Sequence, residues 1–223
     1  LSRKIFQGIY QGEDLPFLIK ERTRCRAHNI IQTLHIAIFK GGSEMDFEHS
    51  QTYANLKKAF QGEIGASGKY AVYARKAWEE GYQQIGNIFE ATSGNEREHA
   101  EIWLKAMNGG EVPSTLENLK DAAAGESYEW HEMYRDFAET ARHEGYPGIA
   151  DLFEGVRAIE HSHDERFSKL ARNIETDMVF CRPREVLWIC LNCGNLIWDT
   201  CVPEVCPVCC YPRGYYELHC ANY

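Results

Sequence analysis

No stretch of the 223 residues approaches the roughly 18 to 20 consecutive apolar positions of a membrane-spanning helix, so a helical crossing is excluded. Basic charge is scarce as well. Twenty-four Lys and Arg stand against 33 Asp and Glu, giving a net charge of −9 and a pI near 5.5. A nucleic acid or an anionic membrane needs a basic face for its phosphates, and no such excess exists to build one. A soluble acidic protein is expected. A secretory signal is not expected either. The basic stretch Lys20 to Arg26 precedes an apolar run from Ile30 to Phe39, but Gln32, Thr33 and His35 interrupt that run and no small-residue cleavage site follows. Residues 1–45 are read as an N-terminal extension outside the fold. Lys40-Gly41-Gly42-Ser43-Glu44 back-translates to a purine-rich ribosome-binding sequence ahead of Met45, so translation is expected to start at Met45.

Cysteine is not scarce. There are nine, and four of them form two C-x-x-C pairs, Cys190/Cys193 and Cys206/Cys209, with a dozen residues between the pairs. In a chain without a signal this spacing indicates metal thiolates in a reducing compartment more than a disulfide framework. The signal is strong for a tetrahedral four-thiolate site. A module this small buries too little apolar surface to fold unaided, so its metal contributes to its folding, whether iron or zinc. Cys25, Cys181, Cys201, Cys210 and Cys220 have no spacing partner and receive no role, nor do His28, His35, His49, His131, His143, His161 and His219.

Upstream, the period is helical. Positions 149, 153, 156, 160, 163, 167, 170 and 174 read Ile, Phe, Val, Glu, His, Phe, Leu, Ile, one stripe of a helix with Glu160 and His163 at its centre. Buried among apolar residues, an unpaired charge would cost several kcal/mol, roughly, so a neutralising partner is required. E-x-x-H at i, i+3 is how helix bundles present ligands to a metal. The same pattern places Glu63 in a first helix from Ser50 to Gly81, and Glu96 with His99 in a second that stops at Asn108-Gly109-Gly110. A third helix opens on the capping box Ser114/Glu117, carries Glu126 and Glu129, and ends near Gly145. Residues 175–185, with Pro183, read as a linker.

The four helices are two copies of one unit. Asn55-Leu56-Lys57 recurs as Asn118-Leu119-Lys120, Gly62-Glu63 as Gly125-Glu126, and Glu96/His99 as Glu160/His163, at an offset of 63 to 64. One Glu from each first helix and one E-x-x-H from each second helix converge on a pseudo-twofold axis, the di-metal carboxylate arrangement of ferritin-like bundles. Any single Glu is better explained as an exposed helix charge. Six candidates on inward stripes at one offset are not. Carboxylate-rich sites of this kind suit iron or manganese better than zinc. Glu129 breaks the symmetry, because its counterpart is Ala66. It lies one turn from Glu126 on the same face and can reach the same site. Two ferrous ions are balanced by Glu63, Glu96, Glu126 and Glu160; oxidation adds charge that a fifth carboxylate would balance, which points to a site that changes oxidation state. Tyr70 and Tyr134 are candidates for hydrogen bonds to these carboxylates, though packing alone would also place tyrosines there.

The motifs Gly62-Glu63, Glu96-Arg97-Glu98-His99, Gly125-Glu126-Ser127-Tyr128-Glu129, Glu160-His161-Ser162-His163 and both cysteine knuckles resemble those of the rubrerythrin family, from about Met45 to Tyr223. The resemblance implies an all-α four-helix ferritin-like bundle over 46–176, followed by a small β-rich rubredoxin-like domain over 184–223. It implies a di-iron site of Glu63, Glu96, His99, Glu126, Glu129, Glu160 and His163, and one iron on Cys190, Cys193, Cys206 and Cys209. It further implies a cytoplasmic homodimeric peroxidase that reduces hydrogen peroxide to water. In that reading the thiolate iron returns electrons one at a time, and one di-iron metal exchanges His99 for Glu129 on oxidation. The electrons come from an external protein such as rubredoxin or its reductase, and ultimately from NAD(P)H. Cys210 beside Cys209 departs from the family pattern. Two other readings are a ferroxidase or iron-handling bundle with a structural zinc ribbon, and a scaffold whose metals serve only folding. The first leaves a redox-competent thiolate site unexplained. Iron in both sites separates the peroxidase from either.

Overall fold

Serine starts the first helix of each helical pair. In the computed structural model, which describes residues 46–221, the Ser50 hydroxyl accepts from the Tyr53 N–H and opens α1 (Gln51–Glu79). Ser114 and Glu117 form a reciprocal capping box that opens α3 (Thr115–Tyr128). The sequence expectations for residues 1–45 lie outside the described residues.

The described residues divide into two units, 46–112 and 113–221. In the first, α1 turns at Gly81 (φ 86°), where Gly81 N–H donates to Trp78 O and Tyr82 N–H donates to Ala77 O. This is a Schellman cap, and the positive φ is why glycine stands there. α2 (Gln83–Met107) runs back along α1. The helices approach closely because their shared seam is built of small residues: Ala74 and Ala77 against Gly86, Ser93 and Ala100, all buried. A Cβ at position 86 would stand 2.2 Å from the Trp78 ring, so no side chain fits there. Ser67 Oγ donates to Ser93 O and Ser93 Oγ donates to Ser67 O, each at 2.9 Å, pinning the register across the seam.

The second unit repeats this plan with one change. α3 passes into a π-helical turn, Glu129–Met133, before continuing as α4 (Tyr134–His143), so the single third helix expected from the sequence is interrupted. Gly145 (φ 87°) repeats the cap, with bonds to Arg142 O and Ala141 O, and Pro147 starts α5 (Pro147–Glu175). Ala138, Ala141 and Ala150 form the seam, with Phe153 against it.

The C-terminal module is a three-stranded antiparallel sheet in the order β2-β1-β3, made of β1 (Cys181–Cys190), β2 (Leu196–Cys201) and β3 (Tyr216–Leu218). Its core is Trp188, Cys190, Val202, Cys206 and Tyr216, with Phe180, Val186 and Leu218 against it. The expected linker is shorter than residues 175–185, because β1 already begins at Cys181. Pro183 is tolerated there because it falls where the β1/β2 register shifts, between Cys181 and Val186. Among the described residues no helix is long and apolar enough to cross a membrane.

Candidate metal centre

Each helical hairpin gathers one carboxylate–histidine triad. In the first, Glu63 on α1 meets Glu96 and His99 on α2; in the second, Glu126 on α3 meets Glu160 and His163 on α5. Helical spacing stacks E-x-x-H on one face, so His99 Nδ1 lies 2.8 Å from Glu96 Oε2 and His163 Nδ1 lies 2.7 Å from Glu160 Oε2. The cross-helix glutamates stand farther off, at 4.0 Å for Glu63 and 3.7 Å for Glu126. Metal–ligand bonds of about 2.1 Å at right angles set neighbouring donors about 3 Å apart, so both E-x-x-H pairs are already at a coordination edge. The donors fit iron: hard carboxylates with one imidazole in each triad.

Electrostatics in the second hairpin reflects the crowding. Burial, and then the neighbouring Glu160 carboxylate, push the Glu126 carboxyl above its ordinary range, while His163 opposes them. Glu129 adds least to that push and is not among the clustered donors of the triad. Burial followed by the charges of Glu129, Glu160 and Glu126 raises Tyr134, so its hydroxyl keeps its proton beside three carboxylates. Tyr70 packs on Phe89 and Tyr73, as Tyr134 packs on Phe153 and Phe137.

The π turn is the part the sequence reading missed. Its Trp130 carbonyl accepts from Arg157 Nε at 2.7 Å, and its Trp130 indole donates to Asp164 Oδ2 at 2.9 Å. Arg157 is in turn held by Glu154, whose carboxyl is drawn below its usual range by hydrogen bonds from Arg142 and Arg157. His131 and His161 flank the Trp130 ring, at centroid distances of 3.3 and 4.4 Å. A signal for the turn was present in the repeat: Glu63 to Glu126 is 63 residues, but Tyr70 to Tyr134 is 64. The extra residue lies between them, and a single inserted residue in a helix is what a π turn absorbs.

In the C-terminal module the two knuckles share one hydrogen-bond pattern. Gly194 N–H donates to Cys190 O at 2.8 Å and Cys210 N–H donates to Cys206 O at 2.9 Å; Cys190 and Cys206 N–H donate to Asn195 O and Tyr211 O. Cys210 occupies the left-handed position (φ 59°) that Gly194 (φ 77°) fills in the first knuckle. Its side chain is exposed, and the fourth sulfur of the cluster is that of Cys209. Cys190 and Cys209 Sγ are 3.8 Å apart, and Cys193 and Cys206 Sγ are 3.7 Å apart. A tetrahedron with metal–sulfur bonds of about 2.3 Å has an edge of about 3.8 Å, so the four sulfurs fit one iron or zinc. Burial alone would push the Cys206 thiol up, but the Tyr216 hydroxyl and the backbone N–H groups of Cys209 and Val208 bring it down to about 6. Cys193 is pushed up to about 12: a backbone hydrogen bond at Asn195 pulls it down, but burial and the other three sulfurs outweigh it. Metal binding needs deprotonated sulfurs, so a bound cation would displace the proton that Cys193 favours. Two further cysteines, Cys181 and Cys201, are joined in a disulfide that the sequence spacing did not reveal.

The rubrerythrin family model matches residues 54–171. Rubrerythrin-1 of Clostridium acetobutylicum is 39% identical over 189 residues, covering 78% of this chain and 97% of that protein. Rubrerythrin of Nitratidesulfovibrio vulgaris is 39% identical over 180 residues, covering 76% and 94%. A solved structure titled as the partially reduced state of nigerythrin is 29% identical, covers 80% of this chain and 91% of that one, and superimposes with a TM-score of 0.29.

Proposed function

The chain belongs to the rubrerythrin family, oxidoreductases with a ferritin-like di-iron site and a rubredoxin-like site, tied to protection from oxidative stress, and we propose that it reduces hydrogen peroxide to water. The observation that carries this reading is the pair of matched triads together with the four-sulfur cluster. In this proposal Glu63, Glu96, His99, Glu126, Glu129, Glu160 and His163 hold two irons, and Cys190, Cys193, Cys206 and Cys209 hold a third. Bound iron supplies one-electron redox chemistry and open coordination for peroxide, which no side chain here provides.

The protein's own groups have definable parts in this. The four triad glutamates neutralise the charge of two divalent ions, and Glu129 is the spare carboxylate that favours the more highly charged state of the pair. Tyr134, kept neutral by its surroundings, holds a proton at its hydroxyl next to Glu126, Glu129 and Glu160. Tyr216, Asn192 and the backbone N–H groups of the knuckles stabilise negative charge on the sulfurs: Asn192 and then the Tyr211 N–H lower Cys209, as Tyr216 helps to lower Cys206. Apolar residues left exposed on each hairpin, among them Tyr73, Ile85 and Ile88 on one and Phe137, Ile149 and Leu152 on the other, support burial of these faces in the working bundle and in a homodimer. An external electron-transfer protein of the rubredoxin class supplies the electrons, in the cytoplasm.

The test is anaerobic purification, metal analysis and peroxide consumption by the wild type and Cys193→Ser. About three irons per chain are expected. Cys193→Ser should abolish turnover with an external reductant and leave a single oxidation of the pre-reduced helical site by peroxide intact. One zinc in place of the thiolate iron, with no peroxide turnover, would transfer the assignment to an iron-handling protein with a structural ribbon. Loss of helical-site iron in the same variant would show that the thiolate module supports the bundle and is not an independent relay.

A further inference from the structure

The four knuckle cysteines account for neither Cys181 nor Cys201. These two are the first residue of β1 and the last of β2, they face each other in the antiparallel register, and they are disulfide-bonded. Cys190 and its cluster lie at the other end of β1, so the pair belongs to a different site. The bond is not what holds the strands together there. Val202 N–H donates to Phe180 O at 2.9 Å immediately beside it, Val202 and Phe180 are part of the module core, and the Arg213 guanidinium lies 5.1 Å from the Phe180 ring centroid. Phe180 and Val202, which flank the two cysteines, thus tie the strand ends together by a bond other than the disulfide. That is the requirement for a couple that closes and reopens.

Accessibility and charge distinguish the two sulfurs. Cys201 is exposed, whereas Cys181 is half-buried, and Arg182 Nη1 donates to Cys181 O at 2.7 Å, fixing a positive charge beside it. A thiolate is the better leaving group where positive charge stabilises it.

We propose that Cys181 and Cys201 are a second redox site of this protein, a reversible dithiol/disulfide couple that is oxidised by hydrogen peroxide and reduced by a dithiol. In the reductive direction a donor thiolate attacks the exposed Cys201 Sγ. The Cys181–Cys201 bond breaks, its electron pair leaves on Cys181 Sγ, and that sulfur takes a proton from solvent. The donor's second thiol then attacks the mixed disulfide, releasing Cys201 as a thiol and the donor as its disulfide. Two electrons and two protons are transferred. In the oxidative direction Cys201 Sγ attacks one peroxide oxygen, the O–O bond breaks and water leaves, giving a sulfenic acid. Cys181 Sγ then displaces its oxygen as a second water and the disulfide closes. The couple operates whichever metal the knuckles hold.

The full-length, metal-loaded protein is treated with hydrogen peroxide and then with dithiothreitol in native buffer. It is quenched by alkylation after each step, and the peptides holding Cys181 and Cys201 are weighed. The linked form should rise by about tenfold with peroxide and fall by about as much with dithiothreitol, while iron content stays constant. With oxidised glutathione, Cys181→Ser should be modified at Cys201 about tenfold faster than Cys201→Ser is modified at Cys181. A pair that stays alkylated as two thiols after peroxide overturns the proposal. So does a pair that stays linked in dithiothreitol until the protein is denatured, since that would be a static staple. Equal labelling of the two single-cysteine variants overturns the assignment of Cys201 as the entry sulfur.

Discussion

The two helical hairpins start from one sequence plan and differ at one point on the third helical segment. In the first, Ser93 Oγ crosses the seam to the Ser67 carbonyl at 2.9 Å, and Ala100 packs one step farther along. In the second, the residues at the corresponding positions are Arg157, Trp130 and Asp164. Arg157 Nε reaches the Trp130 carbonyl at 2.7 Å, and Asp164 accepts from the Trp130 indole. The cross-helix bond to that carbonyl is retained, but a serine has become an arginine and a small seam has become an aromatic one. One extra residue, taken up as a π turn, separates the two cases. In both hairpins this carbonyl accepts a bond from the neighbouring helix, from Ser93 on the regular helix and from the longer Arg157 on the π turn. The ligand triad is unchanged by this. Glu129, at the start of the π turn, is a separate difference: it stands where the first hairpin has Ala66.

The largest effects test the likeness. His99→Ala and His163→Ala should each remove about one iron per chain and slow peroxide reduction by about 100-fold or more, since even groups that only orient a ligand are worth 10- to 100-fold. Metal analysis that finds one variant fully loaded would show the hairpins to be unequal in binding. Glu129→Ala comes next and tests the difference. Both irons should remain bound in the reduced protein, the reduction potential should rise, and peroxide reduction should slow. An unchanged potential with an unchanged rate would reduce Glu129 to a bystander carboxylate.

Smaller effects concern the seam. Arg157→Ala leaves the partly buried Trp130 carbonyl without its charged donor and should lower unfolding stability by about 1.5–3 kcal/mol, whereas Ser93→Ala loses a neutral bond worth about 0.5–1.5 kcal/mol. Denaturant titrations giving equal losses would mean that the π turn does not depend on Arg157. The smallest change is at the caps. Ser50→Ala and Ser114→Ala should each cost about 1 kcal/mol. Only the loss at Ser114 should depend on acid. The Ser114 hydroxyl, followed by its backbone N–H, holds the Glu117 carboxyl below its ordinary range. A lowered carboxyl contributes stability that is present above the unfolded-state pKa and lost as pH falls through the folded one. The gap between Ser114→Ala and wild type should therefore narrow in acid while that for Ser50→Ala stays constant, as thermal melts at several pH values would record.

The sequence by itself determined what is local and periodic. The helix period fixed which residues share a face, so Glu96 with His99 and Glu160 with His163 were legible as pairs before any coordinates. The internal repeat identified Glu63 and Glu126 as partners of the same kind. Two C-x-x-C knuckles determined the four-sulfur cluster, because a tight turn of that length brings its two sulfurs together whatever surrounds it. Serine caps and the glycines at positions 81 and 145 fixed where helices begin and end, since they act on backbone groups within a few residues. Only the tertiary structure decided what depends on a second element. The one-residue change in repeat offset was visible, but that Arg157 would reach the Trp130 carbonyl follows from α5 lying alongside. Cys210 could be set aside only when its backbone proved left-handed and the sulfur of Cys209 closed the cluster. Cys181 and Cys201, twenty residues apart, were joined by the register of β1 on β2, and strand register is fixed by pairing and by which face is buried, neither of which any short spacing encodes.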